Sequence, residues 1–295
     1  MSSLKIGFLI AIISAFIADF YPPAIRAVYA DGGNTTLIVL ITTWARATSM
    51  GLCCLFLRKP IFQTGTDIRQ AIIGGVFQAI STFGIMASLA FIPGPLVVII
   101  FSTHTIILFF YMAWRGEVKL EGFIIMATLI ALGGLTLVLD LWGSQSTSNL
   151  WGIGLAFVAA MAQTGRLYAY GHQTKNRHPA IVGAENFIVS SFLTLFVVFY
   201  KMPHLPSSLS GDAWAFASCL ALALATIGMF FGIAIIGSFR WSLFLKLEPI
   251  FTAIFSALLL HEILKPSQYM GIAIVIGSLA IYQFMDHRTK LLASE

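Results

Sequence analysis

The sequence predicts an all-α integral membrane protein with ten transmembrane helices in two inverted five-helix repeats. Three observations carry that prediction. Of the 295 residues, 58% are hydrophobic and only 10% are charged, with a mean hydropathy of +0.91. The apolar residues fall in runs of about 20, the length that carries a helix across a ~30 Å hydrocarbon core. Lysine and arginine gather in alternate gaps between those runs. A soluble domain has about a quarter of its residues charged, so the surplus apolar surface here must face lipid. That excludes a soluble enzyme, a disordered chain and a disulfide scaffold. The net charge is +5 and the pI about 9.2, but no basic cluster occupies a wet face, so nucleic acid is not an expected partner.

The first span, 6–29, starts beside the N-terminus without a small-residue cleavage site and reads as a membrane helix rather than a removed leader. It carries Asp19 near mid-depth and Tyr21-Pro22-Pro23 directly after it. Proline lacks an N–H and clashes with the preceding turn, so this helix should kink there. After Asp31-Gly32-Gly33-Asn34 the second span, 35–57, carries Arg46, Cys53 and Cys54. The third, 69–91, holds Gly74-Gly75, whose missing side chains allow close helix packing. The fourth, 95–114, contains Ser102-Thr103-His104-Thr105, and the fifth, 122–140, contains Gly133-Gly134. Gly143-Ser144-Gln145-Ser146 then marks a boundary between domains 1–145 and 146–295.

In the second half, span six (150–171) carries Gln163, Arg166, Tyr168 and Tyr170, and span seven (180–200) carries Glu185. The stretch from Pro203 to Gly211 leads to span eight, 213–235, which contains Cys219. Span nine (241–260) opens with Lys246, Glu248 and Pro249, and span ten covers 268–285. Trp142, Trp151 and Trp241 fall at expected membrane interfaces, where amphipathic rings gather. The three cysteines sit in apolar stretches as small hydrophobes, with no metal or redox spacing.

With the N-terminus inside, eleven basic residues fall in inner gaps and three (Arg26, Lys201, Lys265) in outer ones. Positive charge collects on the cytoplasmic side, so both termini are expected there in a multi-pass protein. The halves also echo each other. At an offset of 147, Gly7 meets Gly154, Ala15 meets Ala162 and Tyr21 meets Tyr168; at 145, Glu117 meets Glu262. Five helices per half would turn the second copy upside down, the usual plan of secondary transporters.

Leu247-Glu248-Pro249-Ile250-Phe251-Thr252-Ala253, then Leu258-Leu259-Leu260-His261-Glu262, then Gln268, Gly271 and Gly277, together resemble the C-terminal signature of the EamA family in the drug/metabolite transporter superfamily. Arg46 early in the second helix fits the same habit. The first repeat matches more loosely, with His104 where the second has Pro249. The resemblance implies transport of small metabolites, often amino acids outward, and a bacterial inner membrane.

Ionisable groups inside hydrocarbon cost several kcal/mol unless paired or wet, which singles out Asp19, Arg46, His104, Arg166, Glu185, Lys246 and Glu248. Asp19 and Arg46 suit either an ion pair between neighbouring helices or a cavity facing a substrate amine or a proton. Arg166 and Glu185 suit a second pair. Gln163 and Tyr170, seven apart, share a helix face with polar neighbours, as a wet cavity would need. Glu248 and Lys246 are about 200° apart around their helix, so Glu248 is expected inward and Lys246 snorkelling to the inner interface. His104 suits either a neutral hydrogen-bonding role or a proton relay. The expected substrate cavity therefore comprises Asp19, Tyr21, Arg46, His104, Gln163, Arg166, Tyr170, Glu185 and Glu248, with Asp19 and His104 as proton-coupling candidates.

No phosphate-cradling loop, HExxH helix or Gly-x-Ser-x-Gly elbow is present. No enzyme, cofactor or metal is expected. The embedded acids and bases balance three to three, which suits a zwitterion such as an amino acid. The expected function is secondary active transport of a small polar metabolite by alternating access, in the direction of efflux and with protons as the candidate coupling partner, by a monomer or homodimer. The competing readings are a non-transporting sensor or scaffold subunit, and a carrier of quaternary amines or lipid-linked compounds.

Overall fold

A computed structural model describes residues 3–88, 91–92, 94–118, 122–139, 149–196, 199, 201–260 and 265–292. The expected boundary at residues 145 and 146, together with Trp142, His261 and Glu262, lies outside the described residues. Helices dominate: α1 (Ser3–Ala18), α2 (Tyr21–Ala30), α3 (Thr35–Phe56), α4 (Gly65–Ser88), α5 (Gly94–Ser102), α6 (His104–Trp114) and α7 (Gly122–Val138) in the first half. The second half has α8 (Leu150–Asn176), α9 (Pro179–Thr194), α10 (Leu209–Ile236), α11 (Ser238–Phe244), a 3-10 turn (Leu245–Leu247), α12 (Glu248–Leu260) and α13 (Pro266–Leu292). No strand occurs among the described residues.

Among the described residues, six helical stretches are long and apolar enough to cross a membrane: Leu4–Ala30, Thr35–Phe56, Gly65–Ile85, Leu96–Trp114, Leu209–Ile236 and Ser238–Leu259. Gly122–Val138 is a shorter apolar helix. The outer surface is apolar, with Phe56, Trp114, Trp151 and Phe216 exposed. Polar groups such as Thr43, Ser191 and Thr194 are buried instead, where their hydroxyls return hydrogen bonds to main-chain carbonyls. Lipid on the outside and close-packed polar helices within explain this inverted distribution.

Three apolar stretches are interrupted. The first breaks between Ala18 and Tyr21, and α2 opens with Pro22 and Pro23 in its first turn, where a missing N–H costs nothing. The fourth breaks at Thr103 without a proline. Thr103 Oγ1 donates to the Ile100 carbonyl at 2.6 Å, and His104 Nδ1 lies 2.8 Å from the Phe101 carbonyl. These side chains compete with the helical ladder. The ninth passes through the 3-10 turn just before Glu248-Pro249. At Gly237, φ is +81°, a left-handed value that glycine adopts freely, and the chain turns there from α10 into α11.

The main helix pairings are α4 with α8, α7 with α13, α1 with α10, and α3 with α9, followed by α4 with α9 and α3 with α10. The α7–α13 contact is backbone to backbone. A Cβ added at Gly271 would come within 2.7 Å of both the Gly134 carbonyl oxygen and the Val138 nitrogen. Tyr170, Phe187, Phe230, Met50, Leu108 and Ile233 form the main apolar core.

Each end of the bundle is tied across the halves. At one end Asp31 accepts from Ser207 Oγ (3.0 Å), Ser208 Oγ (2.7 Å) and the Ser208 N–H (2.9 Å). Beside it Asn34 donates to the Met202 carbonyl at 2.7 Å. The other end lies along α3, whose 22 residues span about 33 Å. There Glu185 accepts from the Phe62 N–H at 2.7 Å and pairs with Arg177, which also reaches Asp67 at 3.2 Å.

Candidate functional site

Between these two ties lies a cavity of about 330 Å3, within the range of small-ligand pockets. It is bounded by α1 and α2, α3, α4, α8, α10 and the α11–α12 segment. Asp19 and Tyr21 enter it from the break in the first span, and Glu248 enters from the break in the ninth. Arg46 comes from α3, and Gln163 and Arg166 come from α8.

One wall is a polar stripe on α4: Gln78, Ser81, Thr82 and Ile85, at the i, i+3, i+4, i+7 spacing of a single helix face. The Arg166 guanidinium donates to Gln78 Oε1, whose amide in turn donates to Thr82 Oγ1 at 3.0 Å. Ser81 Oγ donates to Gln163 Oε1 at 3.4 Å. Thr42, Thr43 and Thr226 add hydroxyls from α3 and α10, although each bonds a carbonyl one turn back.

The two guanidiniums are backed by rings. Arg46 lies 5.6 Å from the centroid of Phe187, and Arg166 lies 5.9 Å from that of Tyr170. Cation–π contact compensates part of the lost hydration. On each arginine Nε is buried with no hydrogen-bond partner, and so is Asp19 Oδ2. Asp19 Oδ1 accepts from Thr252 Oγ1 of α12 at 3.2 Å.

Six of the nine residues expected at the cavity line it: Asp19, Tyr21, Arg46, Gln163, Arg166 and Glu248. The other three are placed elsewhere. Tyr170 is wholly buried, its ring 4.6 Å from that of Phe230. His104 sits in the interruption of the fourth span, with its Nδ1 on the Phe101 carbonyl and its own carbonyl accepting from Thr164. Glu185 belongs to the tie at the far end of α3.

The expected ion pairs are replaced by other partners. Among the described residues no ion pair within 4 Å joins Asp19 to Arg46 or Arg166 to Glu185; Thr252, Gln78 and Arg177 take those places. Lys246 does not snorkel. It is 1% exposed, and its ammonium donates to the Ser102 carbonyl, which the break at Thr103 leaves without a helical partner. Trp241, expected at an interface, is buried and lines the cavity. Gln78, Ser81 and Thr82 went unread in the sequence, although their spacing within an apolar span was the available signal. No group of three or more His, Cys, Asp or Glu gathers as a metal site would need among the described residues.

A family model for the EamA-like transporter family matches residues 150–283. One solved structure, described only as the crystal structure of a protein, matches with a TM-score of 0.79 at 12% identity. It covers 95% of this chain and 98% of the other. At that identity the likeness shows a shared fold. No curated protein matches the chain.

Proposed function

We propose, on the match of residues 150–283 to the EamA-like transporter family, that the protein is a secondary active transporter of a small zwitterionic metabolite, an amino acid or a close relative. The observation that carries this reading is the cavity itself. Two guanidiniums (Arg46, Arg166) and two carboxylates (Asp19, Glu248) face one space, and no ion pair within 4 Å consumes any of them among the described residues. A carboxylate and an ammonium on one solute would satisfy both signs at once. A quaternary amine would leave the arginines unmatched, and a sensor or scaffold would have no use for such desolvated charges.

The architecture in this reading is ten helices in two inverted five-helix repeats, 1–145 and 146–295. Counting α1–α2, α5–α6 and α11–α12 as single interrupted spans, the described helices make ten. Shifting each span by five carries the α1–α10 pairing onto α8–α4, and α3–α10 onto α9–α4. The same shift maps α7–α13 and α3–α9 onto themselves. The interruptions at Thr103 and at Leu245–Leu247 also fall at corresponding positions. Broken helices facing a midplane cavity are how inverted-repeat carriers expose backbone and charge to a solute.

Alternating access then needs one end tie to open while the other holds. With both termini cytoplasmic, the Asp31–Ser208 tie faces outward and the Glu185–Arg177 tie inward. A bacterial inner membrane and outward flux are part of the same proposal. The test is counterflow in proteoliposomes preloaded with unlabelled L-amino acids. Transient, saturable accumulation of at least one labelled amino acid is expected. Its absence across all the common amino acids would reject this substrate class.

A further inference from the structure

Asp19 and Glu248 face the cavity from opposite halves of the chain, and each stands at an interruption: Asp19 just before α2, Glu248 at the first residue of α12. A helix N-terminus carries about half a positive charge, so each carboxylate lies at the favourable end of the half-helix that follows it. Thr252 lies on the helix that Glu248 begins. It lies one turn beyond Glu248, and residues four apart share a helix face with Cβ atoms roughly 5–6 Å apart. Its hydroxyl bonds Asp19 Oδ1 at 3.2 Å, and the charge of Glu248 bears on Asp19. Asp19 is 5% exposed, and its Oδ2 is buried without a hydrogen-bond partner.

Close carboxylates in a site of low polarity share a proton, because two like charges there repel strongly. We propose that Asp19 and Glu248 together hold one exchangeable proton, and that this proton and the cationic group of the substrate occupy the pair in turn. The proposal rests on the transport reading above. When an ammonium enters, the shared O–H breaks and the proton leaves to the water on the open side. When the substrate departs on the other side, one proton returns from there, so each solute exchanges for one proton. The charged and titratable groups facing the pair are Arg46 on α3, Arg166 on α8 and Lys246 in the 3-10 turn, with Tyr21 on α2 lining the same cavity. An incoming zwitterion leaves the net charge of the fully ionised site unchanged. His104 has no part in the exchange, since it is tied to main chain and does not line the cavity.

Two measurements on the full-length protein test this. In pH-difference infrared spectra, the purified protein should show a protonated-carboxyl signal that D19N and E248Q each remove or shift. The double variant should do no more than either single, and H104Q should leave the signal in place. No such signal, a signal untouched by either variant, or two independent losses that add in the double would overturn the proposal. In proteoliposomes with an imposed pH gradient and labelled L-amino acids, D19N and E248Q should each lose gradient-driven accumulation at least tenfold more than they lose counterflow. Retained gradient-driven accumulation in both would also overturn it. If the unaltered protein shows no counterflow of any amino acid, the substrate reading fails, and the infrared result still decides the proton pair. Both variants preserve side-chain size, and melting curves will report whether they fold.

Discussion

Arg177 Nη2 lies 2.8 Å from both carboxylate oxygens of Glu185, a side chain with no solvent exposure at all. The same carboxylate receives the Phe62 N–H, so one buried acid ties the loop after α3 to the start of α9. Removing one partner of a buried ion pair leaves an uncompensated charge, at a cost of about 3–5 kcal/mol. R177A is therefore expected to lower the melting temperature in detergent sharply, and E185Q less so because the amide oxygen still accepts from Phe62. Equal melting of R177A and the parent protein would contradict the assignment.

Helix packing makes a paired prediction at the glycines. A methyl group at Gly271 would press on main-chain atoms of α7 that cannot yield, whereas Gly133 has nothing within 4 Å of the same position. Overpacking of this kind costs about 1–3 kcal/mol. G271A should destabilise by that amount, and G133A should be neutral or slightly stabilising. Thermal unfolding of the two variants side by side checks it.

Asp31 gives a pH dependence. Hydrogen bonds from the Ser208 hydroxyl, then from the Ser208 N–H and Ser207, hold its carboxyl below the usual range. A group whose pKa is depressed by folding stabilises above its unfolded value, about 3.9, and that contribution is lost as the pH falls through the folded value. The tie should hold above about pH 4 and weaken below it. S208A should flatten the acid limb of a stability–pH curve, and an unchanged limb would show that Asp31 does not titrate there.

Arg166 is held by Gln78 and backed by Tyr170, which presents its guanidinium edge to the cavity. R166Q should weaken apparent amino-acid affinity about 10- to 100-fold, the worth of a charge-assisted hydrogen bond to carboxylate. R166K should recover only part, since an ammonium lacks the planar fork. Counterflow titrations of both variants measure this. Full recovery by lysine would reduce Arg166 to a point charge.

The helices were legible because lipid imposes a length and a composition on each span. The break at Pro22-Pro23 was legible for the same kind of reason, a missing N–H. The break at Thr103 was not, since it depends on side chains bonding local carbonyls rather than on a residue that forbids helix. Four cavity residues, Asp19, Arg46, Arg166 and Glu248, could be read from the expense of charge in hydrocarbon, and Tyr21 and Gln163 from the proline break and a shared helix face, but their partners could not. Depth along a span placed Glu185 beside Arg166, whereas the fold brings it to Arg177, eight residues away across a turn. Lys246 looked interfacial by position, and only the carbonyl freed in a distant helix explains its burial. Partner choice is a tertiary property, and the polar stripe on α4 was the one clue to it that the sequence displayed.

The central claim is that the cavity is reached from one side of the membrane at a time. Its most direct test is Q163C, made with Cys53, Cys54 and Cys219 replaced and labelled in oriented vesicles by a membrane-impermeant maleimide. The account predicts labelling from either face, slowed from both by a transported amino acid. A site that never labels, or that labels from each face at a rate no amino acid changes, contradicts it.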